Sequence, residues 1–215
     1  MHFRALVRGT LDEAKSGLLD NLKEQVCNDQ YVGRISELIG QKDFRQRDPV
    51  CERPSNIPCL ILVLESPHRD EFAGTPGPAK GSTGRQIRRY LLQVKGLESL
   101  SDHGLILVNA VQYQCSLGMP TRCFRDRVFS AVWSGGGQED FESRLLDYWR
   151  PKDVIANCCT KGSARLADAE LRVMVHDLIL RALPDTEPLR RTHPYSWIEE
   201  KHRKDEWEYT PMAER

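Results

Sequence analysis

Polar and titratable side chains follow four apolar segments of this chain, at the point where each segment ends. Glu65 ends the first segment, Asn109 lies near the end of the second, residues 157–162 span the end of the third, and His193 ends the fourth. A carboxylate and a histidine suit acid–base chemistry and charge stabilisation, and an amide can read hydrogen-bond donors and acceptors. Each residue alone has an ordinary explanation as a cap, a turn or a surface residue. Their common position nevertheless predicts one shared site.

The elements that must position these residues are predicted from hydrophobic patterning. The segments read as strands cover residues 59–65, 104–111, 153–158 and 188–193. The first three are continuous apolar runs, which are typical of buried parallel strands. Helical patterns separate the strands, at residues 84–94, 125–132, 139–148 and 163–183. The sequence therefore predicts an α/β fold, a three-layer α/β/α sandwich with a central four-stranded parallel sheet and a site at its carboxyl edge.

The 215 residues suffice for one domain with its own core. Residues 59–198 are expected to form the α/β core. Residues 1–58 are expected to pack on it as a helical segment and lead-in loop, because apolar residues recur at helical spacing over 11–40. Residues 199–215 read as a charged, solvated C-terminal extension without a chemical role.

The composition limits the classes of partner and compartment. Lysine and arginine number 31, as do aspartate and glutamate, so the net charge is zero. This excludes coating of nucleic acid by bulk charge but allows a local basic face. No apolar run approaches the roughly 18 residues of a membrane helix, and the N-terminus becomes charged too soon for a secretory signal. We expect a cytoplasmic monomer with no membrane association.

The cysteines are seven, an odd number, and none are spaced as C-x2-C. This pattern favours reduced, buried thiols over a disulfide framework. We therefore expect no cofactor and no metal, with a structural zinc or iron–sulfur site built from distant cysteines as the less favoured alternative.

A loop rich in glycine and other small residues, residues 74–84, follows the first predicted strand. It lacks the patterns of nucleoside-triphosphate and dinucleotide sites, but its small residues let backbone N–H groups approach a phosphate or a base. Lys80 lies within it, and Arg85, Arg88 and Arg89 follow at helical spacing. We expect the three arginines to share one face and, with Lys80, to contact phosphates.

Five segments, taken in order, resemble the motifs of the uracil-DNA glycosylase superfamily. They are ILVLESPHRDEF (61–72), GPAKGSTGRQI (77–87), GLILVNAVQYQ (104–114), PKDVIANCC (151–159) and HPYSW (193–197). The resemblance covers the predicted core and implies a uracil-DNA glycosylase-like fold. It also implies an enzyme that flips a base out of DNA and hydrolyses its N-glycosidic bond.

The resemblance implies a role for each matching residue. Glu65 would orient water or stabilise the positive sugar, Asn109 would hold the flipped base, and His193 would stabilise negative charge on the departing base. Asp70 and Glu71 lie close enough to Glu65 that either remains an alternative for the catalytic acid. The remaining base-binding residues would be Ser66, His68 and Ala79. Those that contact DNA would be Lys80, Arg85, Arg88, Arg89, Tyr195, Ser196 and Trp197.

The sequence departs from the family at three features. Ala79 stands near the position where many members have an aromatic residue that stacks on uracil, and His68 replaces a tyrosine or glycine. The cysteine spacing does not reproduce the iron–sulfur ligand pattern of one branch. Because loss of a stacking ring enlarges the pocket, we expect a base bulkier than uracil, such as a modified pyrimidine.

The function expected from these features is a monofunctional DNA glycosylase for a modified pyrimidine, in duplex or single-stranded DNA. A hypermodified cytosine of phage DNA is one candidate, which would mean an antiviral rather than a repair role. The alternatives are excision of uracil in base excision repair, a non-catalytic DNA-binding module of the same fold, and a hydrolase of free nucleosides or nucleotides.

Overall fold

One mixed sheet of six strands organises the chain, seen in a computed structural model that describes residues 2–11, 13–117, 124–167 and 169–212. The strands are β1 (Gln30–Arg34), β2 (Asp48–Pro49), β3 (Cys59–Leu64), β4 (Gly104–Asn109), β5 (Val154–Asn157) and β6 (Leu189–Arg190). Their order across the sheet is β2-β1-β4-β3-β5-β6. The four strands β4, β3, β5 and β6 run parallel. These are the four strands expected from the sequence.

The prediction of a four-stranded, wholly parallel sheet is wrong, because β1 and β2 extend the sheet with antiparallel pairing. The residues of β1 fall inside the stretch 11–40, whose apolar spacing suggested helices. Among the residues described in that stretch, the only α-helix is Ile35–Leu38, and Glu13–Asn21 is a 3₁₀ segment. The backbone of β1 is held by β4, which is distant in sequence, so local spacing could not reveal it.

The helices lie mostly where the sequence predicts them. They are α1 (Phe3–Gly9), α2 (Ile35–Leu38), α3 (Ser82–Tyr90), α4 (Arg125–Val132), α5 (Gln138–Tyr148), α6 (Leu171–Ala182) and α7 (Glu200–Lys204). The helix expected over 163–183 starts only at Leu171, where its buried apolar face begins. No helix among the described residues is long and apolar enough to cross a membrane.

The core lies on both faces of the sheet. Alternate residues of β3 separate into two clusters, with Ile61 and Val63 on one side and Leu60 and Leu62 on the other. The first cluster includes side chains of α4, α5 and α6, and the second includes side chains of α2 and α3. This two-sided burial explains why the strand is apolar at every position. Helices therefore cover both faces of the sheet.

The C-terminal extension is not simply solvated, as the sequence suggested. After α7 the chain returns to the domain, where Glu206 forms a bridge with Arg191 beside the sheet. Trp207 is 6% exposed and its ring lies against His176 of α6. Tyr209 donates a hydrogen bond to Asp177 of the same helix. Residues 206–209 are therefore part of the packed structure.

Candidate active site

A cavity of about 430 Å³ opens at the carboxyl ends of the parallel strands. Six separate parts of the chain line it: the turn after β3, the start of α3, Ser116 in the segment after β4, the start of α4, and the segments after β5 and β6. This is the edge at which the sequence placed a site, and right-handed parallel crossovers bring these segments together there.

Glu65 is the first residue after β3, and its side chain is only 8% exposed. One carboxylate oxygen, Oε2, accepts a hydrogen bond of 3.2 Å from the backbone N–H of Thr160, in the segment after β5. The neighbouring strand end thus orients the carboxylate. The same oxygen lies 3.8 Å from Nε2 of His193, and Oε1 lies 3.7 Å from Nη1 of Arg125.

His193 precedes the 3₁₀ turn Pro194–Ile198 and caps it. Its Nδ1 accepts a hydrogen bond of 3.3 Å from the backbone N–H of Tyr195. A neutral imidazole carries one N–H, so this contact assigns the proton to Nε2, the nitrogen that faces Glu65. Burial lowers the pKa of His193, the carboxylate of Glu65 opposes this, and Arg125 adds to it. His193 is therefore a neutral donor near pH 7.

Arg125 is the cation that the sequence analysis did not assign to the site. It is the first residue of α4, follows Phe124 in a left-handed backbone conformation, and lines the cavity. Its Nε donates a 2.8 Å hydrogen bond to Asp126. The sequence shows only an arginine at the start of a helical pattern, and its distance to Glu65 depends on how that helix packs.

Glu71 also lines the cavity, although its side chain is almost wholly buried. The backbone N–H groups of His68 and Ala79 and the amide of Asn109 act on its carboxyl group as donors that favour the charged form and lower its pKa. Burial outweighs these donors and raises the pKa of Glu71 to about 8. The acid is therefore mostly neutral at pH 7.

Asn109 ends β4 and has no exposed surface. Its backbone N–H donates to Asp29, its Nδ2 lies 3.7 Å from Sγ of Cys27, and the same amide donates to Glu71. Its Oδ1 has no hydrogen-bond partner among the residues that the structure describes. Asn109 does not itself line the cavity, so its link to the cavity runs through Glu71.

The other residues predicted to bind the base divide between the cavity and the core. Ser66, His68 and Asp70 line the cavity. The side chain of Asp70 is 64% exposed, and its Oδ2 lies 3.3 Å from Nδ1 of His68. Ala79 does not line the cavity, contrary to the prediction. It is fully buried in the core cluster that contains α3, and only its backbone N–H reaches Glu71.

Two residues predicted to contact DNA are structural instead. Trp197 has no exposed surface, and its indole N–H donates a 3.0 Å hydrogen bond to the backbone carbonyl of Thr192. Arg88 is 4% exposed and donates to the carbonyls of Gln41 and Lys42. Neither side chain can reach a nucleic acid in this fold, so both predictions are wrong.

The helix α3 turns Arg88 inward because of how closely it packs. A Cβ at Gly84 would lie 1.8 Å from the backbone oxygen of Ala79, so only glycine permits this approach. Ile87 and Arg88 follow Gly84 by three and four residues, so they lie on the same inward face of the helix. Arg85 and Arg89 are left on the exposed face, and the three arginines do not share one surface.

The remaining predicted DNA contacts lie near the cavity. Tyr195 is 64% exposed and lines the cavity. Ser196 donates its hydroxyl to the backbone oxygen of His193, which holds the turn. The ammonium group of Lys80 donates hydrogen bonds to the backbone carbonyls of Ala73 and Thr75, so it holds the loop in which it lies.

Among the side chains that the structure describes, no three of His, Cys, Asp or Glu are grouped as a metal ion would require. Comparison with protein-family models, with curated proteins and with solved structures found no match to this chain.

Proposed function

We propose that the chain is a DNA glycosylase with a uracil-DNA glycosylase-like fold. It takes a modified pyrimidine out of the DNA stack and hydrolyses its N-glycosidic bond, which leaves an abasic site. The observation that carries the proposal is the buried Glu65 carboxylate 3.8 Å from Nε2 of His193 in a cavity at the strand ends. The ordered resemblance of five segments to that superfamily is the second support.

The two groups suit the two charges of the reaction. When the N-glycosidic bond breaks, the electron pair leaves with the base, so the sugar becomes positive and the base negative. The Glu65 carboxylate would stabilise the sugar cation and accept a proton from the water that adds to it. The Nε2–H of His193 would donate to the departing base, and Arg125 would add positive charge nearby. Such preoriented groups contribute much of the rate in buried sites.

The size of the cavity supports a bulky base. About 430 Å³ lies within the range of roughly 300–1,000 Å³ that small-molecule sites occupy. Ala79, which stands near the stacking position of the family, contributes no ring to the cavity because it is buried in the core. Room beside a pyrimidine ring favours a modified base over uracil, and uracil remains the alternative substrate.

Exposed side chains beside the cavity would contact the DNA. Tyr195 and Ile198, on the turn that follows His193, are 64% and 60% exposed. An aromatic side chain stacked on a base contributes about 1–3 kcal/mol, which offsets part of the cost of flipping a nucleotide. Arg85 and Arg89 lie on the exposed face of α3 and are free to approach phosphates.

The test uses oligonucleotides that each contain one uracil, 5-hydroxymethylcytosine or glucosylated 5-hydroxymethylcytosine, in single-stranded and duplex form. The expected result is alkali-labile breaks at a modified cytosine. His193→Ala should slow this cleavage about 10²–10³-fold, the usual effect of removing a charge-stabilising donor. His202→Ala is the matched control, because His202 does not line the cavity.

Absence of breaks on every one of these substrates would contradict the proposal. DNA binding that persists without cleavage, and that neither His193→Ala nor Asn109→Ala changes, would instead identify a non-catalytic DNA-binding module.

A further inference from the structure

Glu71 is a buried acid in the cavity wall that the mechanism above does not use. Four donor groups lie near its carboxyl group: the backbone N–H groups of His68 and Ala79 and the amide of Asn109, which favour its charged form, and the thiol of Cys27 at 4.0 Å. An ionised carboxylate has about four acceptor positions and no donor. Ionised, Glu71 could only accept hydrogen bonds from a ligand.

Protonation changes what Glu71 can offer. The neutral acid has one O–H group that can donate a hydrogen bond. Glu71 lines the cavity, so an O–H directed into it has space for a ligand acceptor. A base supplies such acceptors as carbonyl oxygens and ring nitrogens.

We propose that Glu71, as the neutral acid, donates a hydrogen bond to an acceptor atom of the base in this cavity, and that Asn109 is a positioning residue which holds Glu71 in place. This inference rests on the proposed function of the same cavity. It differs from the role that the family resemblance implies for Asn109, which would be direct contact with the base. The buried Asn109, which does not line the cavity, fits the positioning role.

Burial and the carboxylate of Glu65 favour the neutral form of Glu71, and the cation of Arg47 opposes them. Burial raises its pKa to about 8, and the nearby carboxylate of Glu65 adds to that effect. The other titratable or charged groups close to it are His68, Asp70, Cys27 and Arg47. A neutral acid also suits the chemistry, since an ionised carboxylate would repel the negative charge that develops on a departing base.

The first measurement follows the protonation of Glu71 without any substrate. Infrared difference spectra of the full chain, recorded from about pH 6 to about pH 10, should contain a neutral carboxyl band that disappears near pH 8. Glu71→Gln should remove this band, and Glu98→Gln, at an exposed residue outside the cavity, should not. A spectrum without a band specific to Glu71 at pH 6 overturns the proposal.

The second measurement tests contact with a ligand by calorimetric titration of the free bases cytosine and 5-hydroxymethylcytosine. Both bases stay uncharged over this range, so a change in affinity reports the protein. The wild-type chain should bind about tenfold more weakly at pH 9.5 than at pH 6.5, the usual worth of one hydrogen bond. Glu71→Gln, whose amide donates at every pH, should bind equally well at both. No binding at pH 6.5, or equal pH dependence in both proteins, overturns the donor role.

Asn109→Ala separates positioning from direct contact. Because its amide donates to the Glu71 carboxylate and lowers the pKa of that acid, its removal should move the infrared midpoint of Glu71 to higher pH. If Asn109→Ala loses affinity for the free base at pH 6.5 while the infrared midpoint of Glu71 does not move, Asn109 contacts the base directly, and the positioning role is overturned. Neither measurement requires cleavage. If the oligonucleotides stay intact, the proposed function is contradicted, whereas the role of Glu71 is still decided by the infrared and calorimetric results.

Discussion

The two ends of the parallel sheet use the same side-chain types in opposite ways. At the amino ends of β3 and β5, Asp153 and Arg53 form a 2.9 Å ion pair in which each side chain is 1% exposed. The Asp153 carboxylate also accepts from the backbone N–H groups of Cys59 and Arg150, at 2.8 and 3.0 Å. At the carboxyl ends, Glu65 has one backbone donor, and its neighbours Arg125 and His193 stay 3.7–3.8 Å away.

The difference shows what distinguishes an acid that stabilises the fold from an acid that is available for chemistry. Asp153 has three short donors and does not line the cavity at the carboxyl ends, so its hydrogen-bonding capacity is consumed by the fold. Glu65 has unused capacity that faces a cavity, with a donor and a cation within reach. Buried polar groups are normally satisfied, so a group left unsatisfied beside a cavity is a candidate for ligand contact.

The largest expected effect is at the amino end. Asp153→Ala leaves the guanidinium of Arg53 buried without its partner and removes the acceptor for two backbone N–H groups. We expect a loss of about 3–5 kcal/mol in the free energy of unfolding. Urea denaturation of the full chain measures it. A loss below about 1 kcal/mol would break the comparison, because Asp153 would then not be a structural acid.

The next largest expected effect is a pH dependence of the free energy of unfolding, caused by Glu71 at the carboxyl end of the sheet. The pKa of Glu71 is raised from 4.5 in the unfolded chain to about 8 in the folded one, so between these values the folded state binds more protons. Stability must then fall as the pH rises through this window, by at most about 1.4 kcal/mol per pH unit. Glu71→Gln should remove this decline.

The measurement is the difference between the urea stabilities of wild type and Glu71→Gln from pH 4.5 to pH 8. Taking the difference removes the contributions of His193 and His176, whose pKa values burial lowers and which act in the opposite direction below pH 6.5. Parallel curves for the two proteins would mean that Glu71 is no more perturbed than an exposed acid.

The sequence could predict the parallel strands and the edge of the sheet at which Glu65 and His193 meet. Continuous apolar runs mark strands buried on both faces, and the carboxyl ends of parallel strands share one edge. The antiparallel strand β1 could not be predicted in the same way, because its pairing partner β4 is distant in sequence. A pattern of residues also could not distinguish Arg85 from Arg88, since the close approach at Gly84 decides which one is buried.

The perturbed acid of the site was equally hidden from the sequence. Glu65, Asp70 and Glu71 lie within seven residues, and all three are carboxylates. Their environments differ only after folding: Glu65 faces His193, Asp70 is mostly exposed beside His68, and Glu71 is buried under four donors. Burial and hydrogen bonding assign the roles, and both come from segments distant along the chain.

The smallest expected effect on stability is at Glu65 itself. Glu65→Gln keeps an oxygen that can accept from the backbone N–H of Thr160, and it loses only the attraction to Arg125 and His193 across 3.7–3.8 Å. Removing the charge also removes the cost of burying it, so the two changes nearly offset each other. We expect urea denaturation to show a change of less than about 1 kcal/mol, well below that of Asp153→Ala.

The same Glu65→Gln protein should lose base excision, because an amide can neither stabilise a sugar cation nor accept the proton of water. A stability loss as large as that of Asp153→Ala would mean that the acids at both ends of the sheet hold the fold. An active and stable Glu65→Gln protein would mean that the catalytic carboxylate is Asp70 or Glu71. A stable and inactive protein is the one result that assigns Glu65 to chemistry, because it shows that the loss of activity is not a loss of structure.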